Sequence, residues 1–475
     1  MKILYAASEA QPFIASGGLA DVAGSLPKAL RSRQQACRLV LPLYSGIKAE
    51  YRDKMKYVTH FYLPLAWRNQ YCGLFETNVD GVKCYLLDNE YYFKRENLYG
   101  YDDDAERFAF FSKAVLELLN YIDFTPDIIH CNDWQTAMIP VYLKEVYGGS
   151  ERHRSIKTVL TIHNIQYQGK YGVHLLGDVL GLSEAQGRVL EYDGCLNMMK
   201  GGIEHCDWVT TVSPTYAREL LDPWYSHGLD RLLSQRQHKL SGILNGIDTV
   251  SYNPETDPAL FAKYSLANLR DKQANKAGLC ELMGLEQKAD HALLGIVTRF
   301  VSHKGVDLIE HVFHEMMQRK LSVVVLGSGD YEYEQFFKAM EAAYPGRVAV
   351  RLGFLPDLAR KIYAGSDLFL MPSKSEPCGL AQMIALRYGT IPIVRRTGGL
   401  ADSIADMGGE GGNGFVFDTY NAHDMLGAIE RACELYAQPE GWQAAVANAM
   451  RNDFSWGRSA GEYIGMYQKV LQGAD

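Results

Sequence analysis

Short apolar runs alternate with longer amphipathic stretches along this whole chain, and that alternation constrains its fold more than any other feature. The runs fall at residues 37–42, 127–130, 158–162, 208–212, 293–297, 321–326, 367–372 and 391–394. Each has the length of one strand and is apolar at consecutive positions, as parallel strands buried on both faces are. The opening residues from Met1 read as a further strand. Amphipathic stretches such as 105–119 supply helical crossovers. Strand and helix alternating throughout predict an α/β, doubly wound fold. With 475 residues, the chain has room for two or three domains.

An internal echo divides it. Gly17-Gly18-Leu19-Ala20-Asp21 follows the first strand, and Gly398-Gly399-Leu400-Ala401-Asp402 follows the strand at 391–395. Such a repetition is rare by chance and implies two Rossmann-like halves. A Gly-Gly turn at a helix start lets backbone N–H groups approach an anion or a sugar. The same pair also serves a left-handed strand-to-helix turn with no ligand, so both uses stay open. The turn-rich segment Leu244-Asn245-Gly246-Ile247-Asp248 marks the boundary. The expected domains are 1–244, 245–458 and a final helix at 459–475 that can pack back on the N-terminal half.

Composition removes several function classes. Lys and Arg total 48 against 56 Asp and Glu, a net charge of −8 without a basic block, so no nucleic-acid partner is expected. No apolar run nears the roughly 18–20 residues that span a bilayer, so no membrane partner is expected either. The opening apolar stretch is too short for a signal-peptide core. Nine scattered cysteines without a C-x-x-C suggest reduced thiols and a cytoplasmic protein.

Familiar motifs fail. Gly327-Ser328-Gly329 follows a good strand, but the dinucleotide fingerprint needs a glycine where Glu332 stands. No phosphate-binding P-loop is present. Asp102-Asp103-Asp104 opens a helix, where acidic groups suit the positive dipole end and cap N–H groups. His130, Cys131 and Asp133 resemble ligands, but adjacent strand residues diverge, so neither metal nor cofactor is expected.

Cations beside glycine say more. Arg299 and Lys304, in Thr298-Arg299-Phe300-Val301-Ser302-His303-Lys304-Gly305, follow the strand at 293–297, and loops beyond such strand ends bind ligands in open α/β sheets. A diphosphate suits the pair, one a planar fork and the other a point charge; solvated loop charges are the alternative. Glu376-Pro377-Cys378-Gly379-Leu380 precedes an apolar helix beginning at Ala381. N–H groups at Gly379 and Leu380 would face an anion and Glu376 a sugar, or Glu376 simply caps the helix. His163 and Asn164 end another strand.

In order along the chain these motifs resemble the glycogen and starch synthases of glycosyltransferase family 5. The resemblance runs from Gly17-Gly18-Leu19-Ala20-Asp21-Val22 to Asp453-Phe454-Ser455-Trp456, through Asp133-Trp134, His163-Asn164 with Tyr167-Gln168-Gly169, and Val212-Ser213-Pro214-Thr215-Tyr216-Ala217. It continues through Leu244-Asn245-Gly246-Ile247-Asp248, Arg299 with Lys304-Gly305, Glu376-Pro377-Cys378-Gly379-Leu380, and Arg395-Arg396-Thr397-Gly398-Gly399-Leu400. It implies a GT-B fold, two Rossmann-like domains facing across a cleft. The implied reaction is metal-free transfer of glucose from ADP-glucose to the non-reducing end of glycogen or another α-1,4-glucan acceptor, with retention.

By the same resemblance, Arg299 and Lys304 hold the diphosphate, Glu376 lies near the transferred glucose, and His163 lies by the anomeric centre. The backbone at Cys378, Gly379 and Leu380 meets phosphate and sugar. Asp21, Asp133, Asn164 and Asn245 shape the sugar and acceptor side, while Gly18, with Ser16 beside it, lets the N-terminal loop approach the nucleotide phosphates. Two residues depart from the family pattern. Ala15 stands where the family's Lys-x-Gly-Gly-Leu has its lysine, and Ala381 where a threonine is frequent. The alternatives are a glucan-binding or priming protein with weakened turnover and a relative using UDP-glucose.

Overall fold

The eight apolar runs are strands, and each lies in a parallel part of a sheet, in a computed structural model that describes residues 1–473. The chain forms two units: Met1–Ile243 together with the chain from Trp456 onward, and Leu244–Ser455.

The first unit contains β1 (Lys2–Ala6), β2 (Ala36–Pro42), β3 (Lys56–Leu65), β4 (Arg68–Val79), β5 (Val82–Asp88), β6 (Ile128–Asn132) and β7 (Lys157–Ile162). These are followed by β8 (Lys170–Tyr171), β9 (Glu191–Tyr192), β10 (Cys195–Asn197), β11 (Trp208–Thr211) and β12 (Leu240–Gly242). Its nine-stranded sheet runs β12-β11-β7-β6-β1-β2-β5-β4-β3. The stretch from β12 to β5 is parallel, and the β3–β4 hairpin adds an antiparallel edge. The strand order reverses between β1 and β6. Ligands of open α/β sheets bind at such switch points, beyond the carboxyl ends of the strands.

The second unit contains β13 (Ala292–Phe300), β14 (Leu321–Gly329), β15 (Val348–Leu352), β16 (Leu368–Met371), β17 (Ile391–Arg395) and β18 (Phe415–Phe417). All six are parallel, in the order β15-β14-β13-β16-β17-β18. Read in chain order this is 3-2-1-4-5-6, the order of dinucleotide-binding sheets, with its switch point between β13 and β16. Residues such as Leu294, Val324, Phe369 and Ile393 are fully buried. At about 1.5–3 kcal/mol per buried apolar side chain, this central layer dominates the unit's stability.

Several details differ from the sequence reading. β13 extends to Phe300, so Arg299 sits inside the strand, paired with Ser328, rather than on a loop beyond it. The last helix begins at Trp456 and runs to Gln472, earlier than the expected 459. It belongs to the first unit, where the Tyr467 hydroxyl lies 2.6 Å from His130 Nδ1. The second unit ends at Ser455 and begins at Leu244, one residue before the expected boundary. The Asp102–Asp104 run opens the helix Asp104–Leu118 but caps nothing with its side chains. Asp103 pairs with Arg95 at 2.6 Å and Asp104 with the buried Arg107, because a guanidinium fork outcompetes helix N–H groups for a carboxylate.

Candidate active site

At the first switch point, the loop after β1 folds around one carboxylate. Glu9 is 4% exposed, and its oxygens accept from the Ser16 backbone N–H and, at 3.0 Å, from the Ser16 hydroxyl. The Gly17 N–H and the Tyr99 hydroxyl also bond this group, while burial raises its pKa. Of the Gly17-Gly18 turn, the Gly17 N–H is thus taken by this internal carboxylate. Ala15, Ser16, Gly17 and Gly18 are exposed, and Asp21 is exposed in the first turn of the helix Gly18–Ser32.

Beyond β6 the chain turns through Asp133, whose φ of 55° is unusual for a residue other than glycine. The turn lets Asp133 Oδ1 accept from the backbone N–H groups of His163 (2.7 Å) and Asn164 (3.4 Å), tying the ends of β6 and β7 together. Surrounding protein atoms push its pKa up to about 7 even though the residue is only half-buried, and nearby Glu9 adds to the rise. His163 is likewise half-buried and pushed down to about 3, so its ring is neutral at pH 7. Its Nε2 lies 2.9 Å from Asn132 Oδ1. The Asn164 side chain accepts from the Gln166 N–H at 3.0 Å. The structure therefore groups Asp133, His163 and Asn164. Beside them lies a cavity of about 430 Å³ lined by Trp134, Gln166, Tyr167, Gln168, Gly169, Lys170, Tyr171 and His227.

At the second switch point, Lys304 Nζ and Glu376 Oε2 are 2.6 Å apart. Lys304 ends a short 3₁₀ turn after β13, and Glu376 lies in the loop after β16, where it is 7% exposed. The Ser373 hydroxyl donates to the same Glu376 oxygen at 3.0 Å. Arg395, at the end of β17, holds that loop by bonds to the carbonyls of Ser373 (3.0 Å) and Lys374 (2.6 Å). Glu376 is not the helix cap: the helix Ala381–Arg387 has Leu380 at its N-cap, without a side-chain bond. Arg299 is exposed, and among the described residues its guanidinium makes no hydrogen bond or ion pair. It lies near enough to His303, beside Lys304, to lower the imidazole pKa, after burial and Lys304 itself.

The remaining expected residues divide. Cys378 is buried, and burial pushes its thiol up to about 12, although Asn245 donates to it from backbone and side chain. Asn245 is itself 5% exposed, and its Oδ1 has no partner among the described residues. Gly379 has φ 70° and, with Leu380, is partly exposed. Gln382 Nε2 bonds the carbonyls of Cys378 (3.1 Å) and Gly379 (3.0 Å), fixing the turn from below. The carbonyls of Glu376 and Pro377 accept from the Gly399 N–H at 3.1 and 3.2 Å.

Sequence reasoning missed Glu9, Asn132, Ser373 and Gln382. Glu9 and Asn132 carried a usable signal, since both fall at the carboxyl ends of strands flanking a switch point. Among the described residues, no group of three or more His, Cys, Asp and Glu side chains stands close enough to hold a metal ion.

The starch synthase catalytic domain family matches residues 2–235, and the glycosyl transferases group 1 family matches residues 284–448. A glycogen synthase from Geobacillus thermodenitrificans is 51% identical over 99% of this chain and 98% of its own length. One from Bacillus cereus is 48% identical over 99% of this chain and all of its own. The catalytic domain of Arabidopsis thaliana starch synthase IV, solved bound to ADP and acarbose, superposes with a TM-score of 0.91 at 35% identity over 99% of both chains. Sucrose-phosphate synthase from Thermosynechococcus elongatus, at 14% identity and a TM-score of 0.63, shares the fold. Full-length identity near one half, with two GT-B-type Rossmann sheets, means that this chain belongs to the glycogen and starch synthase family of glucosyltransferases.

Proposed function

We propose that the donor is ADP-glucose and that glucose passes, with retention and without a metal ion, to the non-reducing end of glycogen or another α-1,4-glucan. The observation that carries this reading is the Lys304–Glu376 contact of 2.6 Å at the switch point of the second sheet. It sets a cation and a carboxylate where such sheets bind their ligands. An ammonium has three N–H donors, and Glu376 takes one, so Lys304 retains donors for a diphosphate. That a starch synthase domain of 0.91 TM-score binds ADP and acarbose supports the same nucleotide and a glucan here.

In this reading, the bond between glucose C1 and the diphosphate oxygen breaks. Positive charge grows on the sugar and negative charge on the leaving group. Arg299 and Lys304 stabilise the departing diphosphate, because fixed charges act most strongly where charge develops. The turn at Cys378, Gly379 and Leu380 presents backbone to phosphate and sugar, and Glu376 orients glucose hydroxyls. His163 sits by the anomeric carbon, with Asp21, Asp133, Asn164 and Asn245 shaping the sugar and acceptor side and Ser16 and Gly18 approaching the phosphates. No carboxylate is assigned as a nucleophile, so substitution on one face through an oxocarbenium-like state is the proposed route. The acceptor's terminal 4-hydroxyl oxygen bonds C1 on the face the diphosphate leaves, and its proton passes to the departing diphosphate oxygen. The cavity beside Trp134 offers an aromatic wall to the acceptor chain. Nine cysteines, none in a disulfide among the described residues, suit a reducing cytoplasm.

The test incubates radiolabelled ADP-glucose and UDP-glucose, each with glycogen, with and without EDTA. Incorporation from ADP-glucose in both conditions is expected, as new α-1,4 links. Preference for UDP-glucose overturns the donor, loss of activity with EDTA overturns the metal-free route, and no incorporation from either sugar overturns the whole reading.

A further inference from the structure

We propose that Asn132 is the positioning residue that fixes the His163 imidazole with its hydrogen on Nε2 and its lone pair on Nδ1. The proposal rests on the reading that His163 stands by the anomeric carbon, and it adds which form of the ring stands there and what selects it.

Asn132 ends β6 and is fully buried. Its Nδ2 donates to the Ala6 carbonyl at 2.9 Å, with the His130 carbonyl at 3.5 Å on the same side. Its Oδ1 accepts from the Tyr5 hydroxyl at 2.8 Å and lies 2.9 Å from His163 Nε2. Turning the amide over would set Oδ1 against two carbonyl oxygens, leaving buried acceptors facing one another. The orientation is therefore determined by β1 and β6. An amide oxygen only accepts, so His163 Nε2 carries the hydrogen.

Burial keeps the ring uncharged, and the neutral amide brings no negative charge that would oppose it. The groups facing His163 are Asp133, Asn132, Tyr5 through Asn132, and His130. Asp133 spends Oδ1 on the His163 backbone N–H rather than on its ring. His130 is buried and neutral, pushed down to about 3 by burial and then by His163. The Tyr5 hydroxyl stays protonated, and Glu9 acts on Asp133. No carboxylate touches Nε2 among the described residues, so nothing there stabilises an imidazolium. That suits a group beside a carbon gaining positive charge, since an imidazolium would repel it. An aspartate at 132 would reverse this by drawing a second proton onto the ring.

The experiment is ¹⁵N-histidine NMR on the full chain, with the His163 signals assigned by their loss in His163→Gln. Pyrrole-type Nε2 and pyridine-type Nδ1 signals are expected for wild type, unchanged from about pH 5 to 8. In Asn132→Asp, the His163 pKa should rise into that range. The pH profile of kcat should then gain an acid limb, falling about tenfold per pH unit below the new pKa. Tyr5→Phe should leave both spectrum and profile as in wild type. A wild-type ring with its hydrogen on Nδ1, or one that titrates above pH 5, overturns the proposal even if Asn132→Asp does not fold. An unshifted His163 in folded Asn132→Asp overturns it as well. Normal kcat in His163→Gln overturns instead the reading of His163 as a group beside the reacting carbon, and leaves the tautomer assignment to the spectra.

Discussion

The same five residues, Gly-Gly-Leu-Ala-Asp, begin a helix in each unit, and the two turns do different work. At Gly398-Gly399 the backbone is pressed against the Glu376–Cys378 loop. A Cβ on Gly398, which has φ 42°, would lie 1.9 Å from the Glu376 carbonyl oxygen, and one on Gly399 would lie 2.1 Å from that of Cys378. Glycine is required there so that two loops can touch. At Gly17-Gly18 no atom lies within 4 Å of either Cβ position, and Gly17 is extended at φ −163°. Nothing in that unit's packing demands glycine. The freedom there leaves the turn open to solvent, with the Gly17 N–H turned to Glu9. A repeated pattern thus marks two strand-to-helix turns at different places in their sheets, after β1 beside a switch point and after β17 one strand away from one. The surrounding backbone decides whether the glycines pack or present.

The sharpest test of that division is catalytic. Arg299→Ala and Lys304→Ala should each lower kcat by about 100-fold or more, as loss of a transition-state charge partner does. Their melting temperatures should differ. Exposed Arg299 should leave stability unchanged, whereas Lys304→Ala strands the buried Glu376 carboxylate and should cost about 1–3 kcal/mol. Equal melting temperatures would mean that the Lys304–Glu376 pair contributes nothing to folding.

Substituting the glycines themselves should separate the turns by stability. Gly399→Ala forces a carbon into the Cys378 carbonyl and should destabilise by about 3 kcal/mol or more, read from urea denaturation. Gly17→Ala should stay within about 0.5 kcal/mol of wild type. Similar losses at both positions would erase the distinction.

A pH-dependent effect of comparable size lies at Asp133. Its folded pKa is raised to about 7, so the native state holds a proton that the unfolded chain releases near the ordinary carboxylate range. Between those values the native state binds more protons, and stability falls as pH rises. Asp133→Asn keeps an acceptor for the His163 N–H and tolerates positive φ, so its stability relative to wild type should increase from about pH 4 to 7 and then level. A constant difference across that range would place the Asp133 pKa at its usual value.

The smallest expected change is a gain. Ala15→Lys adds a cation to the open turn and should raise kcat/KM for ADP-glucose about tenfold, less at high salt. No gain would show that the phosphates are held without position 15.

Strands were legible because a buried parallel strand must be apolar at consecutive positions, and the runs at 293–297 and 391–394 announce themselves. The β3–β4 hairpin was not, since its exposed face carries Tyr57, His60, Tyr62 and Tyr71, and β3 alternates toward solvent at an edge. Lys304 and Glu376 were singled out separately from local context. That they form one contact depends on β13 and β16 being neighbours although 67 residues lie between Phe300 and Leu368. Arg299 was placed on a loop because the apolar run ends at Val297, but ladder hydrogen bonds to β14 carry the strand further than its hydrophobicity does.

What the sequence determined by itself was the alternation of elements, the division into two Rossmann halves and the family, for these depend on local periodicity and on residue order. What only tertiary structure decided was pairing. Glu9 takes the N–H groups of its own loop, Asp133 is raised by burial, Asn132 faces His163 across adjacent strands, and Gly399 touches Cys378 while Gly17 touches nothing. Hydrogen bonds and desolvation depend on which atoms lie within a few ångströms, and that distance is set by how the sheets assemble.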